Sequence, residues 1–292
     1  MALKIKKASK EEKKLRCIIT GQPGAGKTYG ALMLAKGLTY KVDKPKILVF
    51  DTECKRSSLK VGAPGLEDFD WDVIDADPKE LGRKVTYLDY IEAIKLAEEE
   101  EYNVLIIDSA TPEWEDILER HSKLSGNSYT NWGKVKALHN EFVNKFLYSD
   151  LHIILTVRSK VGHEYDQVTR QVTKVGLEAQ QESNITYFAD FLFNIQNREH
   201  ECTAEKDETH IYDQLASFKL STTVGENIVD WLNNEYDPEK DRKKKFVYHI
   251  IRLQDELMAK DQTVAGYTEE DLFNKSIDEL TLIGKDLKSK LD

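Results

Sequence analysis

Eight consecutive residues, Gly21-Gln22-Pro23-Gly24-Ala25-Gly26-Lys27-Thr28, place glycines, a lysine and a hydroxyl at the spacing G-x-x-x-x-G-K-[ST]. The glycines let the backbone curl until several N–H groups face one phosphate, and a following helix N-terminus adds partial positive charge. At that spacing Lys27 reaches the β- and γ-phosphates and the Thr28 hydroxyl ligates Mg²⁺. Residues 21–28 and the adjoining Tyr29 are therefore the expected binding residues for a nucleoside triphosphate. No guanine-selecting motif stands out, so ATP with Mg²⁺ is the expected pair.

Hydrolysis further needs a held metal and an activated water. Asp108 closes the apolar run Val104-Leu105-Ile106-Ile107, a position from which a carboxylate holds Mg²⁺ together with Thr28. The alternative is a helix cap at a strand–loop junction, since Ser109 and Pro112 follow. Glu53 stands just past a second apolar run, residues 46–50, which ends in Asp51-Thr52-Glu53. There it is the candidate general base for the attacking water. The alternative is a surface acid in a charged loop, with Cys54-Lys55-Arg56 next in the chain.

These residues need a scaffold that brings strand ends together. Residues 15–20 read as a buried strand before the glycine loop and residues 29–38 as a helix after it. Strand-like runs recur at 46–50, 69–74, 102–107 and 151–157, and helical patterns at 86–101, 112–124 and 132–148. This alternation predicts an α/β fold, a mostly parallel twisted sheet with helices on both faces. Ligands of such sheets sit at the C-terminal strand ends, where Glu53, Asp108 and Thr156 would meet the glycine loop. Residues 158–183 are polar and read as a long loop or hairpin. Strand-like pieces return at 191–196, 201–204 and 217–220, with a short helix at 225–233. A boundary at Tyr236-Asp237-Pro238 divides a core of residues 1–237, with a basic arm at 1–14, from a charged helical segment, 238–292. Thr268-Glu269-Glu270-Asp271 reads as a cap before a second helix of that segment.

The chain has 292 residues and a net charge of −10, with 40% apolar residues. No apolar run approaches the roughly 18 residues of a membrane span, so no membrane partner is expected. The charged start, Met1-Ala2-Leu3-Lys4, has no apolar signal core. Cys17, Cys54 and Cys202 are scattered, as suits reduced thiols in a cytoplasm and not a disulfide frame or zinc site. Three basic clusters interrupt the acidity: seven Lys or Arg in residues 1–16; Arg158, Lys160, Arg170 and Lys174; and KDRKKK at 240–245. Solvated faces are the default reading of such runs.

The order of the motifs, glycine loop, Asp-Thr-Glu at 51–53, then Ile-Ile-Asp-Ser at 106–109, resembles the core of RecA-like recombinase ATPases. Trp132, residues 152–160, Tyr187 with Phe191-Leu192-Phe193, and Trp231-Leu232 extend the similarity over about residues 15–233 to compact, core-only phage members of that class. The resemblance implies Mg²⁺-dependent ATP hydrolysis in DNA recombination and single-strand annealing, single-stranded DNA as a partner, a homo-oligomer, and host cytoplasm for a phage-encoded chain. It implies Glu53 as the water-activating glutamate and Asp108-Ser109 as the metal-linked pair. It further places Thr156 or Arg158 near the γ-phosphate and makes residues 159–183, with Tyr165, a DNA-facing loop. Lys206 is the implied cation offered to a neighbouring subunit. Here the family's Lys-Asp-Arg motif reads Lys206-Asp207-Glu208, without its arginine, and the N-terminal phenylalanine motif used in filament formation is not visible. Two other readings remain: a nucleotide-gated interaction protein with slow ATPase, whose partner binds 238–292, and a small-molecule kinase, which would need more lid arginines than Arg158 and Arg170.

Overall fold

The computed structural model describes residues 7–10, 13–165, 172–182, 184–196, 199–260 and 266–291, with the backbone alone for 160–165 and 172–178. Apolar runs become the strands of one sheet because both of its faces are covered. The strands are β1 (Arg16–Gly21), β2 (Ile47–Asp51), β3 (Asp72–Asp75), β4 (Val104–Asp108), β5 (His152–Tyr165), β6 (Val172–Ala179), β7 (Phe191–Ile195) and β8 (Cys202–Asp207). Their order is β3-β2-β4-β5-β1-β7-β8, with β6 paired to β5. The five pairings among β1–β5 and β7 are parallel. The strand pairs β5–β6 and β7–β8 are antiparallel.

Helices α1 (Lys27–Leu38), α2 (Pro78–Leu81), α3 (Tyr87–Glu99), α4 (Thr111–Lys123), α5 (Ser128–Leu147), α6 (Ile185–Phe188) and α7 (Thr222–Leu232) connect them. Successive strand residues point to opposite faces, and the core divides accordingly. Cys17, Ile19, Val49, Ile106 and Ile154 pack with Leu32, Leu34 and Ala35 of α1 and Ile228 of α7. Ile18, Leu48, Phe50, Leu105, Ile107 and Leu155 pack on the other face with Tyr90 and Ile94 of α3 and Phe142 and Phe146 of α5. This is the expected RecA-type α/β sheet.

Helix α1 carries the end of the glycine loop, and α7 holds it. A Cβ on Gly37 would stand 1.9 Å from the Thr222 carbonyl oxygen, and one on Gly225 would stand 2.5 Å from that of Leu34. Backbone meets backbone here, so neither helix can yield alone. Gly37→Ala is expected to destabilise the core by about 2–3 kcal/mol through overpacking, read as a lowered urea midpoint with an unchanged slope.

The run at 217–220 forms no strand. Phe218 makes one isolated antiparallel bridge to Cys202 of β8. The segment 158–183 is a hairpin of β5 and β6, and residues 166–171 and 183, including Arg170, lie outside the described residues. The basic arm is only partly described. Lys10 donates to the Trp231 carbonyl at 3.1 Å and lies over its ring, and Lys13 pairs with Asp190 at 2.9 Å. Arg16, 2% exposed, donates to the carbonyls of Leu15, Leu147, Ser149 and Leu151. Burial lowers its pKa to about 10. Arg16 is thus a tie for chain ends inside the core, not part of a basic surface.

Contacts divide the chain into Met1–Leu232 and Asn233–Asp292. The second unit consists of α8 (Pro238–Met258), α9 (Glu269–Phe273) and α10 (Ile277–Leu291), around Val247, Ile250, Leu253, Leu257, Leu272, Leu280 and Leu287. Asp237 caps α8, and Thr268 with Asp271 forms a capping box at α9. No helix among the described residues is long and apolar enough to cross a membrane.

Candidate nucleotide-binding site

Strand register brings the site residues together. Gly21 of β1 lies opposite Arg158, Asp51 of β2 opposite Asp108, and Asp108 of β4 opposite Thr156 of β5. β1, β2 and β4 therefore end beside one another, next to residues 156–158 of β5, and the loops that follow β1, β2 and β4 meet at one cleft. That cleft has a volume of about 650 Å³. Gly24, Gly26, Lys27 and Thr28 form its floor, and Tyr29, Glu53, Arg56, Asp108 and His200 are among its walls.

Gly24 and Gly26 have φ of 79° and 98°, a left-handed region that disfavours side chains. Gly26 is the N-cap of α1 and offers no side chain to it. The first N–H groups of a helix lack internal partners, and here they open towards the cleft. His200 hydrogen-bonds the Ala25 carbonyl through Nδ1 at 2.7 Å, and a Cβ on Gly26 would come within 2.7 Å of that nitrogen. The Lys27 ammonium donates to the carbonyls of Gly21 (2.9 Å) and Gln22 (3.1 Å), which holds it across the loop. Burial lowers its pKa, Glu53 and Asp108 oppose that, and Arg56 and Arg158 add to it. Tyr29 donates to the Pro64 carbonyl at 2.7 Å, tying α1 to the loop across the cleft.

Asp108 is 2% exposed. Its Oδ2 accepts from the Thr28 hydroxyl at 2.7 Å and its Oδ1 from Thr156. Burial raises its pKa against both hydrogen bonds, and no cation pairs with it among the described residues. A buried carboxylate without a countercharge is costly. Oxygen donors at this spacing suit Mg²⁺, so Thr28 and Asp108 fit the metal that the glycine loop implies. Thr156 is fully buried and reaches the site through Asp108 rather than from the cleft wall.

Glu53 sits in a loop folded back on its own strand. Asp51, with no exposure, accepts from the Glu53 amide (2.9 Å), the Ser57 amide (2.9 Å) and the Ser57 hydroxyl (2.6 Å). Between these anchors Cys54 and Lys55 have φ of 60° and 62°, a conformation that costs about 1–2 kcal/mol per residue. Two such residues turn the chain so that Arg56 returns against Glu53 at 2.8 Å. The other oxygen of Glu53 accepts from Arg158 Nε at 2.7 Å and from Ser109 Oγ at 3.3 Å. Burial raises the Glu53 pKa, but the two arginines and Ser109 outweigh it, and the net shift is downward. Thr52 completes the join, accepting from the Ser109 amide (2.9 Å) and donating to its carbonyl (3.0 Å).

Lys206 stands apart from this group. It lies opposite Leu192, which is level with Ile18 and back from the Gly21 end. Its ammonium donates to the Tyr187 carbonyl at 2.9 Å and pairs with Glu208 at 3.2 Å. Sequence reading missed Asp51, Thr52, Arg56 and His200. Asp51 and Thr52 stood in plain view within the Asp-Thr-Glu run, whereas nothing local marked His200.

A glycine loop at the end of the central strand, with a buried acid two strands away, defines a P-loop nucleotide-binding protein of RecA-type fold. The AAA domain family model matches residues 13–242, and the chain belongs to that family of P-loop ATPases. No curated protein matches. Among solved structures, a KaiC-like protein from the hyperthermophilic archaeon Pyrococcus horikoshii OT3 aligns at 15% identity, covering 67% of this chain and 80% of its own, with a TM-score of 0.36.

Proposed function

We propose that this chain is a Mg²⁺-dependent ATPase that couples ATP turnover to single-stranded DNA, acting as a homo-oligomer in recombination and strand annealing. The observation that carries the ATPase reading is the convergence of Glu53, Asp108, Thr28 and Lys27 on one cleft. The loop amides and Lys27 hold the phosphates. Thr28 and Asp108 hold Mg²⁺, which neutralises charge on the β- and γ-phosphates when bound. Glu53 orients the attacking water and accepts its proton. Arg158 keeps Glu53 aimed at the cleft through its 2.7 Å bond.

The DNA reading rests on the RecA-type fold and on the surface between α5 and α6. Tyr187 and Phe188 are 77% and 45% exposed, and Lys136 shares their cleft. Exposed aromatics beside cations suit base stacking. The loop tip expected to face DNA lies outside the described residues. ATP turnover measured with and without single-stranded DNA across a salt series tests the coupling. The expected result is stimulation that fades as salt rises, because phosphate contacts release counterions. No stimulation at low salt would leave the second reading, a nucleotide-gated interaction protein. That reading draws on the separate helical unit Asn233–Asp292, through which it would bind its protein partner.

A further inference from the structure

We infer that Arg56 is a catalytic residue acting within its own chain: it leaves Glu53 to contact the transferring γ-phosphoryl group, supplying a cation from the same subunit. This rests on the ATPase reading above.

Three observations point to Arg56. It lines the cleft together with Gly24, Lys27 and Asp108. Its backbone is held on both sides, since Asp51 ties down Glu53 and Ser57, yet its side chain is 58% exposed. A fixed base with a free tip suits a group that must swing over a short distance. Its ion-pair partner among the described residues is Glu53 Oε2, the oxygen that Arg158 leaves free.

The two arginines divide the work. Arg158 is less exposed (38%), and its amide is anchored on Thr111 at 3.0 Å. It stays on Oε1 and fixes the carboxylate. A triphosphate in the cleft presents concentrated negative charge with which one carboxylate oxygen cannot compete. Arg56 therefore moves to the phosphate, and Oε2 becomes free to accept a water proton. Water oxygen then bonds to the γ-phosphorus, the bond to the β–γ bridging oxygen breaks, and its electron pair leaves on ADP. The water proton passes to Glu53 and on to solvent. One movement thus stabilises charge on the phosphoryl oxygens and uncovers the base.

The test uses the full chain and compares wild type with Arg56→Ala, Arg56→Gln and Arg56→Lys. Arg56→Ala is expected to lower kcat by about 100-fold or more. KM for ATP should move less than about tenfold, since the contact to bound ATP replaces the ion pair with Glu53 and gains most of its strength in the transition state. ADP affinity by calorimetry should be unchanged, while trapping of ADP with aluminium fluoride should be lost. Arg56→Gln should behave like Arg56→Ala and guards against misfolding, and Arg56→Lys should recover a minor part, because an ammonium lacks the planar fork. Mixing Arg56→Ala with Lys27→Ala should restore nothing, because the cation acts in its own chain. Alanine and glutamine variants that turn over as fast as wild type, or faster, would show that Arg56 is only a brake or a support and would overturn the assignment. Restoration on mixing would overturn it too. Wild type that binds no ATP removes the ATPase reading and this assignment with it, whereas active wild type beside equally active variants removes this assignment alone.

Discussion

Lys27→Ala is expected to weaken ATP binding by about 10- to 150-fold and to leave no measurable turnover, since one charge-assisted phosphate contact contributes about 1.5–3 kcal/mol and the same ammonium offsets charge during transfer. Lys27 is the one cation within the glycine loop itself. Its ammonium is poised on the carbonyls of Gly21 and Gln22, so it needs little ordering when phosphate takes their place. Calorimetry with a non-hydrolysable ATP analogue reads the effect directly, and circular dichroism confirms the fold. The side chain is not in the core, so the melting temperature should stay near wild type. Unchanged ATP affinity would remove the loop from nucleotide binding.

Glu53→Gln should separate binding from chemistry. The amide keeps the shape and still accepts from Ser109, but it cannot take a proton. ATP affinity should stay within about threefold, while kcat falls by about 10²–10⁴-fold, the usual contribution of a general base. The pH profile carries a second signature. With Arg158 pulling the Glu53 pKa below its usual value, joined by Arg56 until ATP draws it away, the carboxylate stays ionised well into acid. Its proton-accepting form is therefore present above the depressed pKa and lost only as pH falls through it. Turnover should show no Glu53-dependent loss on the acid side between about pH 8 and pH 6. Normal turnover in Glu53→Gln would assign the water to another residue. The three variants then differ in pattern: Lys27→Ala loses binding, Glu53→Gln loses chemistry alone, and Arg56→Ala loses chemistry together with transition-state trapping.

Much of the site was legible because its parts are local. The glycine loop with its lysine and hydroxyl is one stretch of eight residues, and its backbone conformation follows from the glycines at 24 and 26. Asp108 was legible because an apolar run that ends in an acid marks a buried strand reaching the surface of the sheet. Boundaries were legible to within a few residues, as for α5, which begins at Ser128 behind the Asn127 cap rather than at Trp132. Propensity alone misjudged 217–220, where Phe218 makes a single bridge to Cys202 and no strand forms.

What the amino-acid order determined by itself was the chemistry on offer: a phosphate loop, an acid closing a buried strand, a glutamate past the second strand, and the alternation that builds a parallel sheet. Only the folded chain decided which charges meet. Thr28 and Asp108 are 80 residues apart and Arg158 and Glu53 are 105 apart, and strand register alone makes them neighbours. Arg56 reaches Glu53 through two left-handed residues whose sequence, Cys54-Lys55, gives no sign of a turn. Lys206 was read as a cation for a neighbouring subunit, and the antiparallel run of β8 sets it opposite Leu192, back from the glycine loop of its own chain. Local conformation depends on neighbours in the chain, whereas electrostatic pairing depends on distance in space, and distance is settled only when the strands choose their partners.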